Sequence, residues 1–106
     1  MGKRRIPRVD PPQIHTLQGS FVAETLDLHG MSASAAEQRL EMFFQRVSVT
    51  APGSVVRVIT GKGTRSRGEP VLRAVLLEAL SGWLRRFVDE WSLDQGGGAY
   101  LIRLRR

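Results

Sequence analysis

The order of a strand, a helix and a second strand between residues 24 and 59 restricts the fold of this chain more than any other feature. A strand predicted over about residues 24–29 leads past Gly30 into an amphipathic helix, and the β-branched run Val55–Ile59 follows. A unit of this length almost always makes a right-handed crossover between parallel strands. The loops after the two strands are therefore expected at one edge of the sheet, where open α/β sheets bind ligands.

Helical periodicity and chain breakers define two helices. Ser32 or Ser34 can cap the first helix, which ends before the breaker Ala51-Pro52-Gly53. Pro70 suits the first turn of the second helix. The apolar stripe of that helix comprises Leu72, Val75, Leu76, Ala79, Leu80, Trp83 and Leu84.

Two further strands complete the order β-α-β-α-β-β. They are predicted over about residues 87–91 and 100–104, on either side of a turn at Gly96-Gly97-Gly98. We expect an α/β two-layer sandwich, in which a four-stranded mixed sheet carries its two helices mainly on one face. This domain is expected to occupy residues 21–106, after a flexible basic arm at residues 1–20.

An acid and an imidazole stand at the end of the first predicted strand, in Leu26-Asp27-Leu28-His29-Gly30. Alternation turns the leucines toward a core and turns Asp27 and His29 toward the opposite face. A histidine side chain, whose ordinary pKa is near ~6.5, can exchange protons at neutral pH, and Asp27 could orient His29 or bind a divalent ion. Their backbones lie ~7 Å apart on a strand, so this spacing leaves a direct hydrogen bond open. A polar pair that only pins the strand end fits the same pattern.

The loop after the second predicted strand reads Thr60-Gly61-Lys62-Gly63. Glycines let backbone N–H groups approach a phosphate, and Lys62 adds a positive charge. Arg65 and Arg67 are placed to follow a bound strand. The loop lacks the spacing of a Walker A motif, and a simple strand-to-helix turn is the alternative interpretation.

The chain carries a formal charge of +6, and Lys3 and Lys62 are its only lysines. The guanidinium group of arginine suits phosphate, and a small basic domain most often meets nucleic acid or another polyanion. The alternative explanation of the positive charge is that proteins of the source organism are basic in general, in which case the charge says little about the partner of this one. Arg57, Arg103 and Arg105 are expected on the open sheet face, as phosphate contacts or as ordinary solvated residues. The basic cluster of the arm comprises Lys3, Arg4, Arg5 and Arg8. These residues are expected either to contact phosphates non-specifically or to act as a solubilising tail.

Other classes of site and location are disfavoured. The chain has no cysteine for disulfides or thiolate metal sites. No apolar run approaches the ~20 residues that a membrane span needs, so we expect a cytoplasmic monomer without membrane contact. A small-molecule phosphate enzyme is disfavoured because so small a sheet suggests no deep pocket. Trp83 and Trp91 are expected in the core and not as base-stacking platforms.

Three motifs in this order, Leu-Asp-Leu-His-Gly at 26–30, Thr-Gly-Lys-Gly at 60–63 and Gly-Gly-Ala at 97–99, resemble the Smr (small MutS-related) domain. The resemblance covers about residues 24–106 and points to the stand-alone type without an ATPase portion. It implies a fold similar to the C-terminal domain of bacterial translation initiation factor three. It also implies nucleic-acid endonuclease activity, as DNA nicking or as RNA cleavage.

The resemblance assigns Asp27 and His29 as catalytic residues. Nucleic-acid contacts are expected at Gly30, Thr60, Gly61, Lys62, Gly63, Arg65, Arg67, Arg57 and Arg103. Many family members have histidine where Thr60 stands, so a two-histidine acid–base scheme is not available here, and Gln95 takes the first position of the usual Gly-Gly-x-Gly turn.

The partner is expected to be DNA or RNA, with the ribosome as one candidate place of action. The cofactor is expected to be either none or a divalent cation such as magnesium. The alternative function is a nucleic-acid or ribonucleoprotein binding module without catalysis.

Overall fold

The structure is a computed structural model that describes residues 17–61 and 71–106. Within these ranges the strands are β1 Val22–Asp27, β2 Val55–Ile59, β3 Val88–Leu93 and β4 Ala99–Leu104, and the helices are α1 Ala33–Thr50 and α2 Val71–Ser81, with a short 3₁₀ helix at Trp83–Arg86. The strands form one sheet in the order β1-β2-β4-β3. β1 and β2 are parallel, and the other pairs are antiparallel. The predicted mixed sheet and element order are confirmed.

Helix α1 begins at a side-chain cap. Ser32 has an extended backbone, and its hydroxyl accepts the backbone N–H of Ala35 at 3.1 Å. Of the two serines that the sequence offered, Ser32 is therefore the cap. The residues that α1 buries are spaced at helical intervals and comprise Ala36, Leu40, Phe43, Phe44 and Val47. The helix ends at Thr50, as the breaker predicted.

The main core lies between the sheet and the two helices. Leu26 and Leu28 are buried in it together with Val58 of β2 and Leu76 of α2. Both helices therefore cover the same face, and strand alternation turns Asp27 to the other, open face. Neither helix in the described ranges is long and apolar enough to cross a membrane.

Part of the open face is covered by the segment just before β1. Leu17 is fully buried against Val55 and Leu101, and its backbone N–H donates to the buried hydroxyl of Ser92 at 3.3 Å. Leu17, which belongs to the predicted arm at residues 1–20, therefore packs on the sheet. Residues 1–16, with the basic cluster of the arm, lie outside the described residues.

The second helix is shorter than its apolar stripe suggested. α2 ends at Ser81, and Gly82 leaves the helical conformation with φ −116° and ψ −114°. Trp83 consequently falls in the 3₁₀ helix and is 40% exposed, so its predicted core position is wrong. Trp91 does pack against the core, with its ring edge-on to Tyr100 at 5.8 Å between centroids.

Candidate active site

β1 ends two residues earlier than predicted, at Asp27, and the Asp27 side chain explains the difference. Its Oδ1 accepts the backbone N–H of His29 at 3.0 Å, while the N–H of Leu28 still bonds to the carbonyl of Ile59 at 2.8 Å. Local side-chain bonds of this kind compete with strand pairing. Gly30, at φ +83°, then turns the chain in a conformation that favours glycine.

The side chains of Asp27 and His29 also meet directly. His29 Nδ1 lies 2.7 Å from Asp27 Oδ1. Two hydrogen bonds from His29 lower the pKa of Asp27 below its ordinary value of 3.8. The bond from the ring contributes most, and the bond from the backbone N–H is second. An ionised carboxylate can only accept, so we assign the shared proton to Nδ1. The lone pair of a neutral imidazole then lies on Nε2, and the His29 side chain is 69% exposed.

The loop after β2 lies beside this pair. A methyl group added to Gly61 would stand 3.6 Å from the Cβ of His29, and Gly61 has φ +88°. Thr60 is only 7% exposed, and its hydroxyl donates to the carbonyl of Gly61 at 3.2 Å. The two loops thus meet at one edge, as the crossover predicted, but the Thr60 side chain is largely buried there.

A third loop, the turn between β3 and β4, supports the second. The carbonyl of Gly98 accepts the backbone N–H groups of residues 60 and 61, each at 3.0 Å. The carboxylate of Asp94 fixes this turn, because Oδ1 accepts the N–H of Gln95 at 2.8 Å and Oδ2 accepts Nε of Arg57 at 2.7 Å. We call the three segments 27–30, 60–61 and 94–98 the site rim.

The arginines of the open face are paired with carboxylates. Arg57 bonds to Asp94 at 2.7 Å and Arg103 to Glu90 at 3.2 Å. Arg105 lies beyond β4 and donates its Nε–H to the carbonyl of Arg85 at 3.1 Å. The face that holds Asp27 is therefore less basic than the sequence indicated, and phosphate contacts by Arg57 and Arg103 stay a prediction.

Some predicted contacts lie outside the described residues, namely Lys62, Gly63, Arg65 and Arg67. Sequence reasoning assigned no role to Asp94, which shapes the rim, and it placed Gly98 only in the predicted turn and in the Gly-Gly-Ala motif. The available signal was an acid two residues before a glycine run, in a chain whose second predicted strand carries Arg57. Only the strand order, with β4 between β2 and β3, shows that the two charges meet.

Metal binding at the rim would depend on the same acidic and imidazole side chains. Within the described ranges, no three His, Asp or Glu side chains form a group that could hold an ion by themselves. Mg²⁺ is commonly held by one or two carboxylates together with substrate phosphates. Asp27 is the carboxylate that would serve such an ion at the rim, where the ion would supply charge to the phosphate.

A groove of about 890 Å³ lies away from the rim, between β1 and α1, with Leu26, Met42 and Phe43 in its walls. Its lining includes no residue of the site rim. At the rim, the His29 and Asp27 side chains are 69% and 49% exposed to solvent, and such exposed groups suit a large ligand better than an enclosed small molecule.

These features define a small α/β domain with an acid–imidazole pair at the carboxyl edge of a parallel βαβ unit. The family model described as the Smr domain matches residues 26–105, and the chain belongs to the Smr domain family.

Two solved structures resemble the chain. The Smr domain of Thermus thermophilus MutS2 has a TM-score of 0.61 and 21% sequence identity, and the match covers 79% of this chain and 100% of that chain. The human small-MutS related domain has a TM-score of 0.56 and 24% identity, with 76% and 99% covered. At these identities the likeness shows the fold alone. No curated protein matches the chain.

Proposed function

We propose that this protein is an Smr-type endonuclease that cleaves phosphodiester bonds of DNA or RNA at the site rim. The observation that carries the proposal is the exposed imidazole of His29, whose Nδ1 is held at 2.7 Å by the Asp27 carboxylate. Membership of the Smr domain family, for which the resemblance implies endonuclease activity, supports it. Gly61, which has no side chain, lies beside His29 and leaves space for a phosphate to approach.

The chemistry follows from the assigned tautomer. Nε2 of His29 takes a proton from the attacking hydroxyl, either water or a ribose 2′-hydroxyl, as its oxygen bonds to phosphorus. The bond to the leaving oxygen breaks, and that oxygen takes a proton from a solvent water molecule. Asp27 holds the ring and stabilises the imidazolium that forms. General acid–base catalysis of this kind contributes ~10²–10⁴ in rate.

The first test is His29→Ala. We expect it to lower cleavage of a nicked, branched or structured substrate by ~10²-fold or more, with the fold intact by circular dichroism. Asp27→Asn should cost less than the ~10⁴-fold known for a buried acid–histidine pair, because both side chains are exposed here. His15→Ala is the matched control, since it removes the only other histidine. Undiminished cleavage in His29→Ala would remove His29 from the mechanism.

The ends of the cut strands test the nucleophile. Matched DNA and RNA strands are incubated with and without magnesium, and the termini are mapped. A cyclic 2′,3′-phosphate on RNA without magnesium indicates attack by the ribose hydroxyl. Cleavage of DNA that requires magnesium indicates attack by water, with Asp27 as the carboxylate that would hold the ion.

A binding module without catalysis is the second candidate, and Thr60 favours it. A buried threonine stands where many family members carry a histidine, so the rim offers one described imidazole. Such a module would bind DNA or RNA with a strong salt dependence and would leave both strands uncut under every divalent-ion condition.

A further inference from the structure

The unpaired positive charge of the described residues is concentrated at the edge of the sheet opposite the site rim. β4 starts beside the rim, where Ala99 pairs with Ile59, and runs to the other edge, where Leu104 pairs with Val88. Its six residues span about 20 Å at ~3.4 Å each. That second edge collects four exposed arginines, Arg85, Arg86, Arg105 and Arg106. We call them, together with Trp83, the far-edge patch.

Within the part of the chain that the structure describes, the arginines of the patch have no acidic partner. Among residues 17–61 and 71–106, the ion pairs involve Asp27, Glu24, Asp94 and Glu90, and none of them includes a patch arginine. Asp89, exposed on the neighbouring strand, forms no ion pair with them either. Their charge is therefore open to a ligand, whereas that of Arg57 and Arg103 is balanced.

Local contacts hold these arginines in place. The guanidinium of Arg86 lies over the Phe87 ring, 5.4 Å from its centroid, and Arg105 donates to the carbonyl of Arg85. The stem of Arg106 lies so close to Gly53 that a methyl group there would stand 3.2 Å from its Cγ. Side chains that are already positioned lose less entropy when they bind phosphate.

An aromatic platform adjoins the charge. The Trp83 ring is edge-on to Phe87, with 6.4 Å between centroids, and the residue is 40% exposed. Guanidinium groups track a phosphate backbone, and exposed aromatic rings stack on unpaired bases. A patch with both features fits a single strand better than a duplex, whose bases are already stacked.

We propose that the far-edge patch is a second binding site for single-stranded nucleic acid, which holds a strand about 20 Å from the rim. The inference rests on the proposed function in one respect, namely that the strand bound at the patch belongs to the same DNA or RNA molecule that is cleaved at the rim. It predicts that a long strand contacts the patch and the rim at the same time. A strand too short to reach from one to the other contacts only one of them and therefore binds more weakly.

The test measures binding of fluorescent single strands to the full chain in the His29→Ala background, so that no strand is consumed. RNA and DNA of the same mixed sequence are compared at lengths of about 3 and about 20 nucleotides, on either side of the ~4–16 nucleotides of known single-strand sites. One variant changes the four patch arginines to glutamine, and another is Trp83→Ala. The matched control changes Lys3, Arg4, Arg5 and Arg8 to glutamine, which also takes the net charge from +6 to +2 (6 − 4 = 2).

We expect the four-arginine variant to bind the long strand at least ~10-fold more weakly. The slope of the logarithm of the binding constant against the logarithm of the salt concentration should become shallower by roughly 2 to 3, because each lost phosphate contact removes ~0.7 from it. Trp83→Ala should weaken binding by about fivefold or more, and Trp83→Phe should restore it. The inference holds only if the patch variant loses more than the arm control and Trp83→Ala also loses affinity.

Any other pattern overturns the inference. One such pattern, measured on the same protein with phosphatidylserine vesicles, is binding to the vesicles without binding to either strand. RNA bound in preference to DNA, or the reverse, identifies the strand and supports the inference equally. If the wild type cuts no substrate while the patch variants behave as expected, the proposed endonuclease fails and the second site stands.

Discussion

At the scale of single residues, the site depends on how closely the chain passes His29. Gly61 adopts φ +88°, and a Cβ added to it would be in van der Waals contact with the Cβ of His29 at 3.6 Å. A side chain at residue 61 would meet an unfavourable backbone conformation, and its Cβ would also contact the Cβ of His29. The glycine therefore serves both the loop conformation and access to His29.

Gly61→Ala tests this dual role. The left-handed conformation should cost about 1–2 kcal/mol in the free energy of unfolding, measured with urea, and the added methyl group should also lower cleavage by restricting the His29 ring. Gly19→Ala is the matched control, because Gly19 has φ +89° and open space around it. The control should lose similar stability and keep its activity. Equal activity losses in the two variants would show that strain alone, and not contact with His29, explains the effect.

At the scale of secondary-structure elements, the sequence predicted what depends on periodicity. The order of elements, the bounds of β2 and the end of α1 agree with the structure. The missed details depend on contacts between residues that the sequence pattern does not connect. Asp27 ends β1 by bonding to the His29 backbone, Gly82 separates Trp83 from α2, and Leu17 finds a hydrophobic site on the open face.

The same limit applies to the site. The meeting of the two loops followed from crossover handedness, which is a general rule. The direct bond between Asp27 and His29 did not follow, because the predicted strand would hold their backbones ~7 Å apart, whereas the chain turns there. The pairing of Arg57 with Asp94 depends on the sheet order, and neither residue alone reveals it.

The Arg57–Asp94 pair should matter more than the Arg103–Glu90 pair on the same face. The Asp94 side chain is only 18% exposed and also holds the turn that supports residues 60 and 61, whereas Glu90 is 39% exposed. We expect Asp94→Ala to cost about 1–3 kcal/mol in the free energy of unfolding, as for charge-assisted bonds, and also to lower cleavage. Glu90→Ala should cost at most about 1 kcal/mol, as for surface ion pairs. Equal effects in urea unfolding would contradict a special role for the turn.

At the scale of the whole molecule, the structure separates its core from its charges. One hydrophobic core joins the sheet to both helices. The acids Glu24 and Asp27 act at the surface, where Glu24 joins β1 to α1 through two bonds to Arg46 at 2.8 and 2.9 Å. Both depend on an ionised carboxylate, so stability should respond to acid through these contacts, whereas the aliphatic side chains of the core do not titrate.

The direction of this response follows from the pKa shifts. The hydrogen bonds from Arg46 lower the pKa of Glu24 from its ordinary 4.5, and those from His29 lower the pKa of Asp27 from 3.8. The unfolded chain therefore takes up these protons at higher pH than the folded chain does. The stabilisation is complete above the unfolded values and is lost as the pH falls through the folded ones.

Glu24→Gln should accordingly unfold at lower urea concentration than wild type at neutral pH, and the difference should shrink as the pH is lowered below about 4.5. Asp27→Asn should behave likewise, with its difference closing at lower pH because the ordinary value is 3.8. Glu37→Gln is the control, since this exposed glutamate of α1 forms no ion pair within the described residues. A Glu24→Gln difference that stayed constant down to about pH 3 would mean that the carboxylate stabilises the fold by its shape and not by its charge.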